Sequence, residues 1–444
     1  MKVIAAAALA AAAGATISAP SSAQVGTPAN PMVGTPVTSS PVQSPAGPPA
    51  PPLLPVAGPR TGPLPASLTL IQALEEAGAR SPTIVAAEAE VAAAEARLRQ
   101  AGYRNNPELS LEVENVAGTG ELKGINRMET TLAVNQRLDI GGRRSARIDA
   151  ARASLVVQRL RLSVARADLV QSVREQFARA VAARQRLDQS EDNLTWAKEL
   201  ARVAGLLVEA GREPPLRAVR ARSALAQADA AHEAAAAEEL AARSSLAALF
   251  GISTPVTKVS GSMIDARSGT VAPEKSLEVR LAEAEQLVAQ AEVRQQQAER
   301  RLDPAVGVGV RHIRETGDVG LVAGISMPLR IFDRNQGNIS AAQQALAAAE
   351  ARRASALATT TAKARNAIAT VEGAQRRVAA LEKAAIPEAE EALRLAQRAY
   401  EEGKASLLEL LDARNAYVAA QRDLTEARLA LALAAAELAR ISAQ

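Results

Sequence analysis

The chain contains no cysteine. That excludes disulfides, thiolate metal sites and a lipid anchor carried on a cysteine. Histidine is nearly as scarce. His232 and His312 are the only two, and neither has a neighbour at metal-ligand spacing. Both are expected on the surface, and neither a metal site nor a cofactor is expected. Aromatic residues make up only 2% of the chain, fewer than a compact core normally uses, because large rings supply much of its buried area. Beyond the N-terminus no stretch is apolar for about 20 residues except by alanine, so no later transmembrane helix is expected. No basic cluster carries interleaved aromatics, which argues against nucleic-acid binding. The Gly-Val alternation at Gly307 to Val310 is followed by no helix, so it does not read as a phosphate loop. No nucleophile–base pair stands out, and no catalytic residue is expected.

What is present is alanine, with charges of both signs closely mixed. Lys and Arg number 52 against 48 Asp and Glu, for a net charge of +4. Interleaved charge of this kind marks a solvated helical surface laced with ion pairs. The length, 444 residues, allows two or three ordinary domains or one elongated one. The N-terminus places Lys2 before an apolar run from Val3 to Ile17, then small residues. This reads as a secretory signal over residues 1–23, with cleavage near Ser21-Ser22-Ala23. Residues 24–66 are rich in Pro, Gly, Ser and Thr and read as a disordered or extended linker.

The ordered part begins with a helix expected over residues 68–101. Next comes ELSLEVEN, in which Glu108, Ser110, Glu112 and Glu114 alternate with Leu109, Leu111 and Val113. That is a strand with one wet and one apolar face. A second alternating run sets Met128, Leu132, Val134 and Leu138 against Glu129, Thr131, Asn135 and Arg137. It passes directly into a long helix, expected over 143–208, with Ile148, Leu155, Leu162 and Leu169 seven apart as a coiled-coil seam. Gly211 and Pro214-Pro215 break it, and a return helix is expected over 216–249.

The pattern then recurs: helix over 277–301, two strands around the loop Glu315 to Asp318, a long helix over 337–402 and a return helix over 406–441. Pro387 is expected to kink or interrupt the long helix. Leu138, Ile140, Arg143 and Ile148 match Leu329, Ile331, Arg334 and Ile339 at an offset of 191. Gly211, Ala221 and Arg222 match Gly403, Ala413 and Arg414 at 192. The chain therefore reads as a duplication, with residues 67–260 and 261–444 as its repeats.

Two amphipathic hairpins per chain cannot close a barrel alone. Open edges are not tolerated in hydrocarbon and are sticky in water, and known membrane barrels need about eight strands. The simplest resolution is an α+β membrane protein: long helical coiled coils joined to a transmembrane β-barrel shared between protomers, four strands from each.

At this point NPELSLEVEN, QRLDIGGRRSARI, MPLRIFDRNQGNISAA and YEEGKASLLELLDARNAYVAAQRDL resemble the TolC-like outer-membrane efflux channels. The resemblance is greatest to those serving heavy-metal resistance pumps of the cobalt-zinc-cadmium type, and it spans residues 68–443. It implies a homotrimer in outer-membrane lipid, a twelve-stranded barrel and a periplasmic helical tunnel. The tunnel tip would dock a periplasmic adaptor (membrane fusion) protein and an inner-membrane pump of the RND type. The exported cargo would be divalent heavy-metal cations. The lipidated cysteine common among relatives is absent, and only Tyr103 and Phe332 flank the expected strands, at the periplasmic boundary.

On this reading Gly211, Arg212, Gly403 and Lys404 form adaptor-contacting tips. Glu409 and Asp412 make acidic rings near the entrance. Arg217 and Arg220, their counterparts in the first repeat, are expected to pair with acids of a neighbouring helix and hold the entrance shut. Glu108, Glu112 and Glu114 would line the barrel lumen. The alternatives left open are a similar duct for drugs or type I secreted proteins, and a periplasmic coiled-coil scaffold or adaptor.

Overall fold

The computed structural model describes residues 62–263 and 271–443. The expected signal segment and residues 24–61 of the expected linker lie outside the described residues.

Four strands form one antiparallel sheet in the order β1 (Glu108–Glu114), β2 (Glu129–Arg137), β3 (Ala305–Ile313) and β4 (Val319–Ser326). The β2–β3 pairing joins the two hairpins, and β1 and β4 are left as edges. The register lines up Leu111, Leu132, Val310 and Leu321 in one row and Leu109, Val134, Val308 and Ala323 in the next. Because side chains alternate between faces, these rows build one apolar face. Glu108, Asn135, Glu112 and Thr131 lie on the other.

The helical body is built on two long helices that leave the sheet. The first, α3 (Arg143–Glu209), has 67 residues and spans roughly 100 Å at the α-helical rise. Along it lie three shorter helices from the same half of the chain: α1 (Leu70–Arg80) and α2 (Pro82–Ala101) before it, and α4 (Pro215–Leu249) after it. The second long rod is α6 (Gln336–Ala380) continued by α7 (Ile386–Glu401), with α5 (Leu277–Glu299) before it and α8 (Leu407–Ile441) after it. The end of α4 abuts the start of α2. Gly251 takes φ +69° there, and a Cβ on it would come within 2.9 Å of the Pro82 ring. Arg440, near the end of α8, ion-pairs with Glu278, near the start of α5, at 2.7 Å and with Asp168 of α3.

The largest core cluster lies at the α4–α2 junction. Val173 and Phe177 of α3 meet Leu246, Phe250, Ala73, Ala77 and Ala432 there, together with Leu68, Val256 and Val259 from flanking segments. Leu68 and Val259 also form a short parallel bridge. Elsewhere the buried positions are mostly alanines, such as Ala94, Ala150, Ala291, Ala364 and Ala434. Small side chains let helices approach closely, which is how a chain so poor in rings can still be well packed. The seam residue Leu155 is buried.

Two sequence expectations are corrected. The single helix expected over 68–101 is two, parted at Ser81-Pro82. Pro82 has no N–H and disfavours helical geometry in the preceding residue, so it opens α2 as its first residue. Thr69 and Gln72 form a capping box that starts α1. The long α-helix of the second half is interrupted just before Pro387, as expected. It widens into a π-helical turn at Leu381–Ala385, just before the proline, and runs on. The helix starts of the two halves are also out of step with the 191-residue match. The left-handed cap residues are Gly142 and Asn335, 193 positions apart.

Sheet and helices meet at a tight joint. The Gly141 N–H donates to Oδ1 of buried Asp303 at 3.1 Å, and a Cβ on Gly141 would fall 2.7 Å from that oxygen. Arg143 sits 3.2 Å from Asp303 Oδ2 and donates to the carbonyls of Glu299 and Arg301. Asp303 thus ties the start of α3 to the β3 approach. Asp303→Ala leaves the Arg143 guanidinium without its closest acid in a partly buried site. A loss of about 3 kcal/mol is expected, read as a lower midpoint of thermal unfolding by circular dichroism. An unchanged midpoint would show that the joint carries no stability.

Candidate functional site

Three regions hold the residues singled out from the sequence. The first is the sheet. Among the described residues nothing covers its apolar face: Leu109 is 71% exposed, Val308 67% and Leu321 92%. The apolar surface continues past the strands through Ile140, Leu329, Ile331 and Phe332, all exposed, with Tyr103 also exposed near the base of β1.

On the polar face, Glu108 and Glu112 are exposed and form no ion pair among the described residues. Glu114, by contrast, is paired. Arg311 of β3 reaches it at 3.2 Å, and also meets Glu129 at 2.9 Å and the Thr131 hydroxyl at 3.0 Å. Sequence reading missed Arg311. The signal was present, because alternation through AVGVGVRHI puts Arg311 on the same face as Gly307 and Gly309. At the far end of the hairpins Arg127 links their two loops, 2.9 Å from Glu121 and 3.1 Å from Glu315.

The second region is the pair of helix tips. Gly211 (φ +70°) and Gly403 (φ +73°) both take the left-handed conformation. At each, the next residue's N–H returns to a carbonyl five residues back: Arg212 to Leu207 at 2.9 Å and Lys404 to Ala399 at 2.7 Å. This is the Schellman closure that glycine makes possible. Gly211, Arg212, Gly403 and Lys404 are all exposed. So are Leu206, Leu216, Val219 and Leu408, large apolar side chains close to the tips that the sequence reading did not single out. The two tips pack side by side through Leu200, Ala204, Ala221, Leu393, Leu407 and Leu410. Arg414 fastens them. Its guanidinium lies 5.0 Å from the Trp196 ring centre and donates to Asn193 Oδ1 at 3.1 Å. Burial there pulls its pKa down.

The third region is the charged set just past the second tip. Glu409 and Asp412 are both exposed, one turn apart on α8. Glu409 is not a free carboxylate. It closes a capping box with Ser406, accepting from the Ser406 N–H at 2.6 Å, while the Ser406 hydroxyl accepts from Glu409 N–H. Those bonds lower its pKa, the backbone one most. Arg217 pairs with Glu213, one turn earlier. An acid four residues earlier in the chain is thus available to Arg217. Arg220 and Asp412 are exposed and form no ion pair among the described residues. His232 is half-buried with its Nδ1 3.3 Å from the Ser190 hydroxyl, and His312 is exposed on the apolar face of the sheet. No metal-binding group of side chains occurs among the described residues.

The fold is shared with solved outer-membrane channels. The crystal structure of the outer membrane protein VceC from Vibrio cholerae aligns over 84% of this chain and 96% of its own, with a TM-score of 0.71 and 21% identity. The Campylobacter jejuni CmeC outer membrane channel aligns over 84% and 85%, with a TM-score of 0.73 and 12% identity. The model of the outer membrane efflux protein family matches residues 73–252 and 271–444. The chain belongs to that family, and its location is the outer membrane. Among curated relatives it is similar to the nickel-cobalt-cadmium resistance protein NccC of Alcaligenes xylosoxydans xylosoxydans, 33% identical over 285 residues. That match spans 63% of this chain and 64% of the relative. It is also similar to the cobalt-zinc-cadmium resistance protein CzcC of Cupriavidus metallidurans, 31% identical over 373 residues, 82% of this chain and 85% of that protein.

The capping box carries a prediction of its own. Ser406→Ala removes the cap of α8 and is expected to cost about 1 kcal/mol locally, seen as faster amide exchange at residues 407–411. Because the Glu409 pKa is lower in the folded state, its contribution is fully present above the ordinary glutamate value of about 4.3. It is lost as pH falls through the depressed one. Exchange at 407–411 that does not respond to acid would contradict this role.

Proposed function

We propose that the chain is one subunit of a passive, trimeric exit duct for divalent heavy-metal cations, working with a periplasmic adaptor and an inner-membrane pump. The observation that carries this is a four-stranded sheet whose apolar face is uncovered and whose two edge strands are unpaired, continuing directly into the longest helix. Three such sheets, edge to edge, make a twelve-stranded barrel with the apolar face toward lipid. The polar face then lines a wet path, and the long helices extend it as a tunnel. The two halves, residues 67–260 and 261–444, serve as repeats of one building unit. The names of NccC and CzcC support the metal cargo.

The duct performs no chemistry. It lowers the barrier to export by replacing a membrane crossing with a hydrated route, and its partners supply the energy. The tips, with Gly211, Arg212, Gly403, Lys404 and the exposed leucines beside them, present a mixed apolar and basic surface suited to an adaptor. Glu409 and Asp412, repeated in three copies, ring the entrance with carboxylates that concentrate cations. Arg217 and Arg220, the latter without an ion pair among the described residues, would meet acids of a neighbouring helix and hold the entrance shut.

Two measurements test this reading. A strain lacking the protein is expected to become more sensitive to cobalt, zinc, cadmium or nickel salts, and complementation should restore growth. Sensitivity to drugs alone would move the cargo to another class. In planar bilayers, the Glu409→Ala/Asp412→Ala variant is expected to discriminate less between cations and anions than the wild type. Identical ion selectivity would remove the entrance rings from the account.

A further inference from the structure

The polar face of the sheet is unevenly charged. Its first hairpin supplies four acids, Glu108, Glu112, Glu114 and Glu129, and one base, Arg137, at the helical end. The second supplies glycines at 307, 309, 320 and 324, and among its paired residues one charged side chain, Arg311. In the register Glu114 stands directly opposite Glu129, a like-charge pair that is unfavourable on adjacent strands. Arg311 resolves it by reaching back across β2 to both carboxylates, at 3.2 and 2.9 Å, with its Nε donating to Thr131 at 3.0 Å. The glycines on the same face bring no side chain of their own beside it. Added Cβ atoms at Gly307 and Gly309 would collide with Asn135 and Ala133 respectively, so little else can stand there. Glu108 and Glu112, nearer the helical end of the sheet, keep free carboxylates.

We infer that Arg311 is a determinant of ion selectivity in the pore. It lowers the charge of the acid pair at the loop end from −2 to −1 and so shifts the unpaired negative charge toward Glu112 and Glu108. The inference rests on the sheet being part of a pore wall. A paired carboxylate presents a dipole to a passing ion, and its field falls off faster than that of a lone charge. At about 0.1 M salt the field of a free charge reaches only about 10 Å, so which acids are free decides where along the barrel a cation is favoured. Three copies around one lumen would multiply the effect.

The test is the reversal potential of single channels in planar lipid bilayers under a potassium chloride gradient at low ionic strength. The wild type is expected to prefer cations. Arg311→Gln frees both acids and shifts the reversal potential further toward the potassium value, whereas Arg311→Lys stays at the wild-type value. Glu114→Gln/Glu129→Gln leaves Arg311 without its acids and shifts the potential toward chloride. This variant decides the matter if Arg311→Gln does not insert. Open channels whose reversal potential is the same in wild type and in the Glu114→Gln/Glu129→Gln variant would reduce Arg311 to a brace between strands and overturn the inference, with the pore intact. Wild-type protein that passes no current would overturn the pore reading and this inference together.

Discussion

Ten large apolar side chains on one face of the sheet are exposed within the chain: Leu109, Leu111, Val113, Leu132, Val134, Val308, Val310, Val319, Leu321 and Ile325. Burying a side chain of this kind is worth about 1.5–3 kcal/mol. Leaving the whole face in water therefore forgoes on the order of 15–30 kcal/mol, more than the roughly 5–15 kcal/mol by which a domain is usually stable. No element among the described residues covers the face. Both edge strands also carry unpaired backbone groups, which hydrocarbon does not tolerate. Under the proposed assembly, lipid outside and sister copies at the edges would satisfy both demands together. This constraint ties the sheet's sequence pattern to location, assembly and transport.

The helical half solves the opposite problem. It must stay in water, long and thin, with little apolar material to spend. Alanine lets helices lie close, and the larger side chains are concentrated where helix ends meet, around Phe177 and Leu246 and at the tips around Leu200 and Leu407. Ion pairs between helices, such as Arg159 with Glu95 and Arg353 with Glu283, are exposed and add little each. The joint of Gly141, Arg143 and Asp303 fixes how the rods leave the sheet. In the proposed duct, the path of the lumen would depend on that joint as much as on the strands.

Much of this was legible in the sequence because period-two alternation and long alanine-rich helices leave plain patterns. The four strands, the long helices and the two glycine turns followed from those patterns alone. What escaped depended on local backbone detail or on contacts between distant residues. Pro82 splits a helix that its apolar spacing made look continuous. Pro387 interrupts its helix as expected, but spacing does not reveal that the interruption is a widened turn. Arg217 takes an acid four residues earlier in the chain, and Glu409 is engaged by its own cap, neither of which composition reveals. Arg311 was hidden because its partners lie about 180 residues away, and only strand register brings them together.

The most direct test joins the two edge strands. The chain has no cysteine of its own, so Ser110→Cys on β1 and Val322→Cys on β4 introduce the only thiols. Both lie on the polar face in the same row of the sheet, too far apart within one chain to meet. Outer membranes carrying the double variant, treated with a short thiol cross-linker and run under denaturing conditions, are expected to give covalent dimers and a closed trimer. Single variants should give neither. Only monomers from the double variant, in protein that stays water-soluble, would contradict a barrel shared between copies.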